Sequence, residues 1–155
     1  MGSIYVKLNY PNAIEDTINM LNRAQDLCPK FRAKGVLLVG DFNSRNVEWG
    51  DSITNDYGTK LKNNLDSTKF NIISPTNPTF LCENGSSFID LVIISQNLAD
   101  KITQVKTDPD VELFSGAPIR GHVPVTFNFT ITSGREEVKT KEKIDLSKVK
   151  WDQRT

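Results

Sequence analysis

Apolar and polar positions along the chain alternate between two periods, and the switches between them outline the elements. Val36-Leu37-Leu38-Val39 is four consecutive apolar residues, which predicts a strand buried on both faces, since a strand with one wet face would alternate. Ile4, Val6 and Leu8 alternate with Tyr5 and Lys7 and predict a short strand before it. Between the two, Ile14, Ile18, Leu21, Ala24 and Leu27 or Cys28 recur at helical spacing. Asn12 with Glu15 has capping-box spacing at the start of that helix, and Pro29 stops it. Tyr57, Leu61 and Leu65 sketch a second helix, and Phe70, Ile72 and Ile73 a strand. Asn84-Gly85 predicts a hairpin turn between strands at 79–82 and 88–94. One or two helical turns are expected over 96–101 and a strand over 105–111, interrupted by Pro109. Val123, Val125, Phe127, Phe129 and Ile131 alternate with polar residues or proline and give the clearest half-buried strand. Strand, helix and buried strand in that order predict a layered α/β fold.

Three of these strands carry a polar group of catalytic type. Gly40 ends the 36–39 run and leaves Asp41 and Asn43 where strand meets loop. Asp90 stands at the head of Leu91-Val92-Ile93-Ile94, where a carboxylate without a partner is costly to bury. His122, the only histidine, directly precedes the alternating strand. Each also has a plainer reading: Asp41 as the cap of the next turn, Asn43 as a turn residue, His122 as a hydrogen-bonded structural histidine.

Composition narrows the partners only a little. A chain of 155 residues with 37% hydrophobic and 25% charged content suits one soluble domain with a genuine core. Lys+Arg and Asp+Glu both number 19, so any nucleic-acid partner needs a local basic patch rather than a global field. No apolar run approaches the roughly 20 residues of a membrane span, so no membrane partner is expected. Residues 1–7 lack the blocks of a signal peptide, and an intracellular site is the default expectation. Cys28 and Cys82 read as two reduced, buried thiols. After Ser133-Gly134 the chain becomes charged, which marks 133–155 as a linker or tail with Trp151 as a docking residue.

Gly40-Asp41-Phe42-Asn43, Ser87-Phe88-Ile89-Asp90 and Gly121-His122-Val123-Pro124-Val125 occur in an order and spacing that resembles the endonuclease/exonuclease/phosphatase superfamily. The loop ending in Trp49-Gly50, the segment 58–65, and Pro75-Thr76-Asn77-Pro78-Thr79-Phe80 are similar to the apurinic-endonuclease-like domain of non-LTR retrotransposon polyproteins. The segment 144–151 resembles the basic, Trp-bearing stretch that leads toward a reverse transcriptase. The resemblance implies the C-terminal portion of a DNase I-like α/β sandwich over 4–132, with the early strands bearing an Asn and a metal-binding Glu lying ahead of this chain. It also implies Mg²⁺- or Mn²⁺-dependent nicking of DNA in the nucleus, with Asp41 positioning or deprotonating water and serving as a metal ligand. Asn43 would hold the phosphate, and Asp90 would pair with His122 on an adjacent strand and favour the imidazolium facing the phosphoryl oxygen.

Arg45, Asn46, Trp49 and Arg120 are the candidate DNA contacts, although packing for Trp49 and solvation for the arginines are the plainer readings. One departure bears on the metal: the family has Ser-Asp-His where this chain has Arg120-Gly121-His122. With that Asp and the Glu both lacking, little or no activity is expected of this chain. A non-catalytic remnant that binds nucleic acid or protein, and a small-molecule or phosphoinositide phosphatase, are the alternatives. Self-association is expected through a sheet face that the early strands would otherwise cover.

Overall fold

The computed structural model describes residues 1–7, 10–107 and 121–130. In chain order these form β1 (Gly2–Tyr5), α1 (Ala13–Leu27), β2 (Leu37–Asp41), α2 (Asp56–Leu65), β3 (Phe70–Ile73), β4 (Phe80–Cys82), β5 (Gly85–Ser87), β6 (Asp90–Ser95), β7 (Ile102–Thr107), β8 (Gly121–His122) and β9 (Val125–Phe129). Short 3₁₀ turns lie at Val47–Trp49 and Gln96–Lys101. The expected tail over 133–155, with Trp151, and the positions of Leu8, Pro109, Arg120 and Ile131 lie outside the described residues.

The run at 36–39 becomes the middle of the molecule. β2 pairs in parallel with β1 and antiparallel with β6, and β3 closes the other side of β6, giving the order β1-β2-β6-β3. Side chains of β2 and β6 divide between two cores, as their continuous apolar pattern requires. Leu38, Leu91 and Ile93 meet Ile14, Ile18 and Leu21 of α1 and Leu61 and Leu65 of α2. Leu37, Val92 and Ile94 meet Ile102 and Val105 of β7 and the alternating Val125, Phe127 and Phe129 of β9. The result is three layers: helices, central sheet, and the β7-β9 pair.

Local chemistry departs from the sequence expectations in four places. Asn12 does stand before α1, but its side chain makes no capping bond; with ψ at 9° the residue lacks the extended geometry that turns an Asx side chain back onto the helix. The strand at 105–111 begins earlier, at Ile102. Cys28 is buried as expected, whereas Cys82 is exposed on the hairpin. The hairpin itself is smaller than expected. Cys82 pairs with Gly85, so Glu83-Asn84 form the turn and Gly85 opens the returning strand. That strand ends at Ser87, and after Phe88-Ile89 the chain enters the central sheet as β6 instead of continuing beside β4.

Gly40 lets β1 lie close against β2. A Cβ at Gly40 would overlap the backbone carbonyl of Ile4, its register partner. Gly40→Ala is therefore expected to destabilise the fold by roughly 2–3 kcal/mol, because backbone on both sides must move. Urea unfolding monitored by circular dichroism measures the loss.

Candidate active site

Asp41 and Asp90 are register partners, the last residue of β2 opposite the first of β6. Two carboxylates directly across an antiparallel pair repel each other. His122 offsets this from a different sheet. It is carried on β8, which pairs with β4 in the sheet β5-β4-β8, and its ring meets Phe80 edge-on at 5.1 Å. Its Nδ1 lies 2.9 and 3.1 Å from the two oxygens of Asp90, and its Nε2 lies 3.7 Å from Asp41 Oδ2. The expected closeness of Asp90 and His122 is present, but across two sheets and not on adjacent strands. Because a carboxylate can only accept, Nδ1 carries the proton that meets Asp90, and Nε2 turns outward. The side chain of His122 is 49% exposed and that of Asp41 11%, so the histidine forms the open rim and the aspartate the floor.

Asn43 completes the group, with its backbone at φ 50°, a left-handed conformation that Asn tolerates. Its N–H donates to Asp41 Oδ1 at 2.8 Å, and its side-chain amide donates to Val6 O at 2.8 Å and to Asp41 Oδ2 at 3.3 Å. Both amide protons are thus committed within the chain, so as placed Asn43 orients Asp41 and has none left over for a phosphate. Asn55 in turn donates to Asn43 O and accepts from Arg45 N and Gly58 N, joining this loop to the start of α2. Burial raises the Asp41 carboxyl above its ordinary value, and the neighbouring Asp90 charge adds to this, against the lowering hydrogen bonds of Asn43 and the charge of His122.

The residues expected to meet DNA through the loop are turned to other contacts. Asn46 is buried, accepting from Glu48 N and donating to Gly58 O. Trp49 is buried as well, with its indole N–H on Ser44 O at 3.1 Å, so packing is its role in this structure. Arg45 donates through Nε and Nη2 to Asp51 Oδ1 at 3.0 and 2.8 Å. A polar loop around a Trp-Gly pair reads in sequence as a ligand surface; folded, it needs its polar groups to satisfy its own backbone.

Sequence reasoning missed Asp51, which lies inside this loop with its side chain fully buried. Burial works against its ionisation, but hydrogen bonds from Arg45 and from the N–H groups of Phe88 and Ile53, with the guanidinium charge, hold it below the usual carboxylate range. It also missed Thr79, fully buried beneath Asp90. No motif marks Asp51, whereas Thr79 lies in the Pro-Thr-aromatic segment at 78–80, which sequence reasoning read only as the entry to the hairpin.

The donor set does not fit a divalent ion. Among the described residues no group of three or more His, Cys, Asp or Glu side chains is placed to hold one. Asp90 is engaged by His122, which leaves Asp41 as the rim's remaining carboxylate, whereas Mg²⁺ takes near-octahedral oxygen ligands. Gly121 stands where the resemblance would put an Asp, and its φ of 113° is one that a residue with a Cβ rarely adopts.

The layered α/β arrangement is similar to that of a DNase I-like endonuclease domain. Residues 1–115 match the endonuclease-reverse transcriptase family, and the chain belongs to that family within the endonuclease/exonuclease/phosphatase superfamily. In fold it is similar to the "Endonuclease domain of TRAS1, a telomere-specific non-LTR retrotransposon", with TM-score 0.62 and 20% identity over 84% of this chain and 56% of that one. The chain thus corresponds to little more than half of that domain. No curated protein gave a significant match.

Asp41 and Asp51 respond to pH with opposite sign. Asp41 has a folded value above its unfolded one, so its ionised form costs stability; the cost is full above the raised value and gone below about 3.8. Asp41→Asn should therefore raise Tm at pH 7 by roughly a few degrees, an advantage that fades on acidification. Asp51 has a depressed folded value, so its contribution is full above 3.8 and lost as pH falls through that lower value. Asp51→Ala should cost about 2–3 kcal/mol at pH 7, somewhat under the range for a fully buried pair because Arg45 keeps partial contact with water. Thermal melts of both variants from pH 7 to pH 3 test the two signs together.

Proposed function

We propose that this chain carries the phosphate-facing part of a DNA-nicking phosphodiesterase site, of the kind that supplies a primer end in retrotransposition. The observation that carries the reading is the single histidine bound through Nδ1 to Asp90 and directed through Nε2 to the rim beside Asp41. In-line attack on a phosphodiester needs a water held and deprotonated on one side and relief of charge on the phosphoryl oxygens. Asp41 is suited to the first role, because a buried carboxylate beside another carboxylate is a stronger base than one in water. His122 is suited to the second as an imidazolium, with Nε2–H donating to a phosphoryl oxygen while Nδ1–H on Asp90 fixes the ring. Asn43 supports Asp41.

Mg²⁺ or Mn²⁺ and a nuclear site of action belong to this reading as properties of the family's reaction. The described donors do not assemble a site for such an ion, so this chain alone is expected to nick DNA at no more than background rate. Self-association through an exposed sheet face belongs to it too; Leu37, Leu98, Phe127 and Phe129 line an open cavity of about 750 Å³. Sedimentation that returns only monomer at high concentration would remove that element.

A supercoiled-plasmid assay with Mg²⁺, comparing the chain with Asp41→Ala, tests the activity. The expected outcome is no relaxed product above background from either protein. Robust nicking that disappears in Asp41→Ala would overturn the expectation of inactivity and establish Asp41 in the chemistry.

A further inference from the structure

Asp90 and His122 arrive at the rim from different sheets, and one residue is bonded to the backbone of both segments. Thr79 precedes β4 and is fully buried. Its Oγ1 accepts from Ile89 N at 3.0 Å and from Asp90 N at 2.9 Å, at the point where the chain leaves the hairpin for the central sheet. Its carbonyl accepts from Val123 N at 2.7 Å, directly after His122, and its N–H donates to Ser87 O at 2.9 Å. The hydroxyl proton has Ser87 O at 3.5 Å.

We infer that Thr79 is the positioning residue that sets Asp90 and His122 against each other, its hydroxyl fixing the first and its carbonyl the second. This rests on the reading of the His–Asp pair given above and extends it to what aligns the pair. Neither strand can do so alone. β8 is two residues long and is bonded to β4, while Asp90 is the first residue of β6, where the ladder begins. A buried hydroxyl accepting two successive amides fixes the direction in which the strand starts, and with it the direction of the Asp90 side chain. Valine has the shape of threonine without the acceptor, so it leaves two buried N–H groups unmatched at the point where Asp90 begins; serine keeps the acceptor and loses only a methyl group.

The chain has one histidine, so its ring nitrogens can be read without ambiguity by ¹⁵N NMR at a pH where the ring is neutral. In the wild-type chain one signal is expected at the protonated, pyrrole-type position for Nδ1 and one at the bare, pyridine-type position for Nε2. In Thr79→Val the two signals should move toward averaged values, the Nε2–H form gaining, while Thr79→Ser should keep the wild-type pattern. Ile94→Val, a core truncation further along β6, serves as the control for general loosening and should also keep it. If Thr79→Val does not fold, Thr79→Cys carries the same expectation, since a thiol is a weak acceptor.

An unchanged tautomer in Thr79→Val or Thr79→Cys overturns the inference while leaving the pair itself intact. Loss of the pattern in Thr79→Ser and Ile94→Val alike also overturns it, because the signature would then follow stability and not the hydroxyl. A wild-type chain without the Nδ1–H form removes the pair, and both readings with it.

Discussion

Two carboxylates brought face to face by strand register are the constraint that the rest of the site answers. β2 and β6 cannot slip to separate Asp41 from Asp90, because a one-residue shift would exchange Leu38 and Ile93 with Leu37 and Val92 between two different cores. The apolar packing therefore enforces an electrostatic conflict at the end of the sheet. His122 moderates it from outside that sheet, and its position follows from β4, to which β8 is paired. The central sheet sets up the repulsion and the small hairpin sheet brings the group that offsets it.

The loop between β2 and α2 holds the other half of the rim. Its polar residues form an interior of their own: Arg45 on Asp51, Asn46 between Glu48 N and Gly58 O, Asn55 between the backbones of Asn43, Arg45 and Gly58. Gly58 permits this, since a Cβ there would overlap the Arg45 carbonyl. Among the described residues no buried side-chain nitrogen or oxygen is left without a partner. A fully satisfied polar network is rigid because any departure strands a buried group. That rigidity lets Asn43 hold a left-handed backbone and keep both of its amide protons on Val6 and Asp41.

The periodic elements and the four rim residues were legible in the sequence, for separable reasons. The unbroken run at 36–39 and the alternation at 123–129 follow from burial, which periodicity records directly. Asp41, Asn43, Asp90 and His122 were legible through short motifs with a strand attached. The exchange of sheets after Ser87 was not, since it depends on Thr79 and Asp51 receiving the N–H groups of residues 88–90 from distant parts of the chain. A turn signal such as Asn84-Gly85 speaks for local geometry and is silent about which sheet the next strand joins. For the same reason Asn46 reads in sequence as a surface residue and Trp49 as either a packing residue or a DNA contact: polarity along a loop does not distinguish groups that face water from groups that face their own backbone.

Asp41 and Asp51 show how one short stretch divides two demands. Asp51 is surrounded by donors and a guanidinium and lends stability, holding the loop to the segment that becomes β6. Asp41 is buried beside another carboxylate and takes stability away in its ionised form. A protein selected for stability alone would have little reason to keep the second, because a neutral side chain there would remove the repulsion. The strain sits at the rim and its support lies inside the loop, joined through Asn43 and Asn55. That arrangement holds a poorly solvated carboxylate on a scaffold stiff enough to bear it, which is what the proposed role of Asp41 as a base requires.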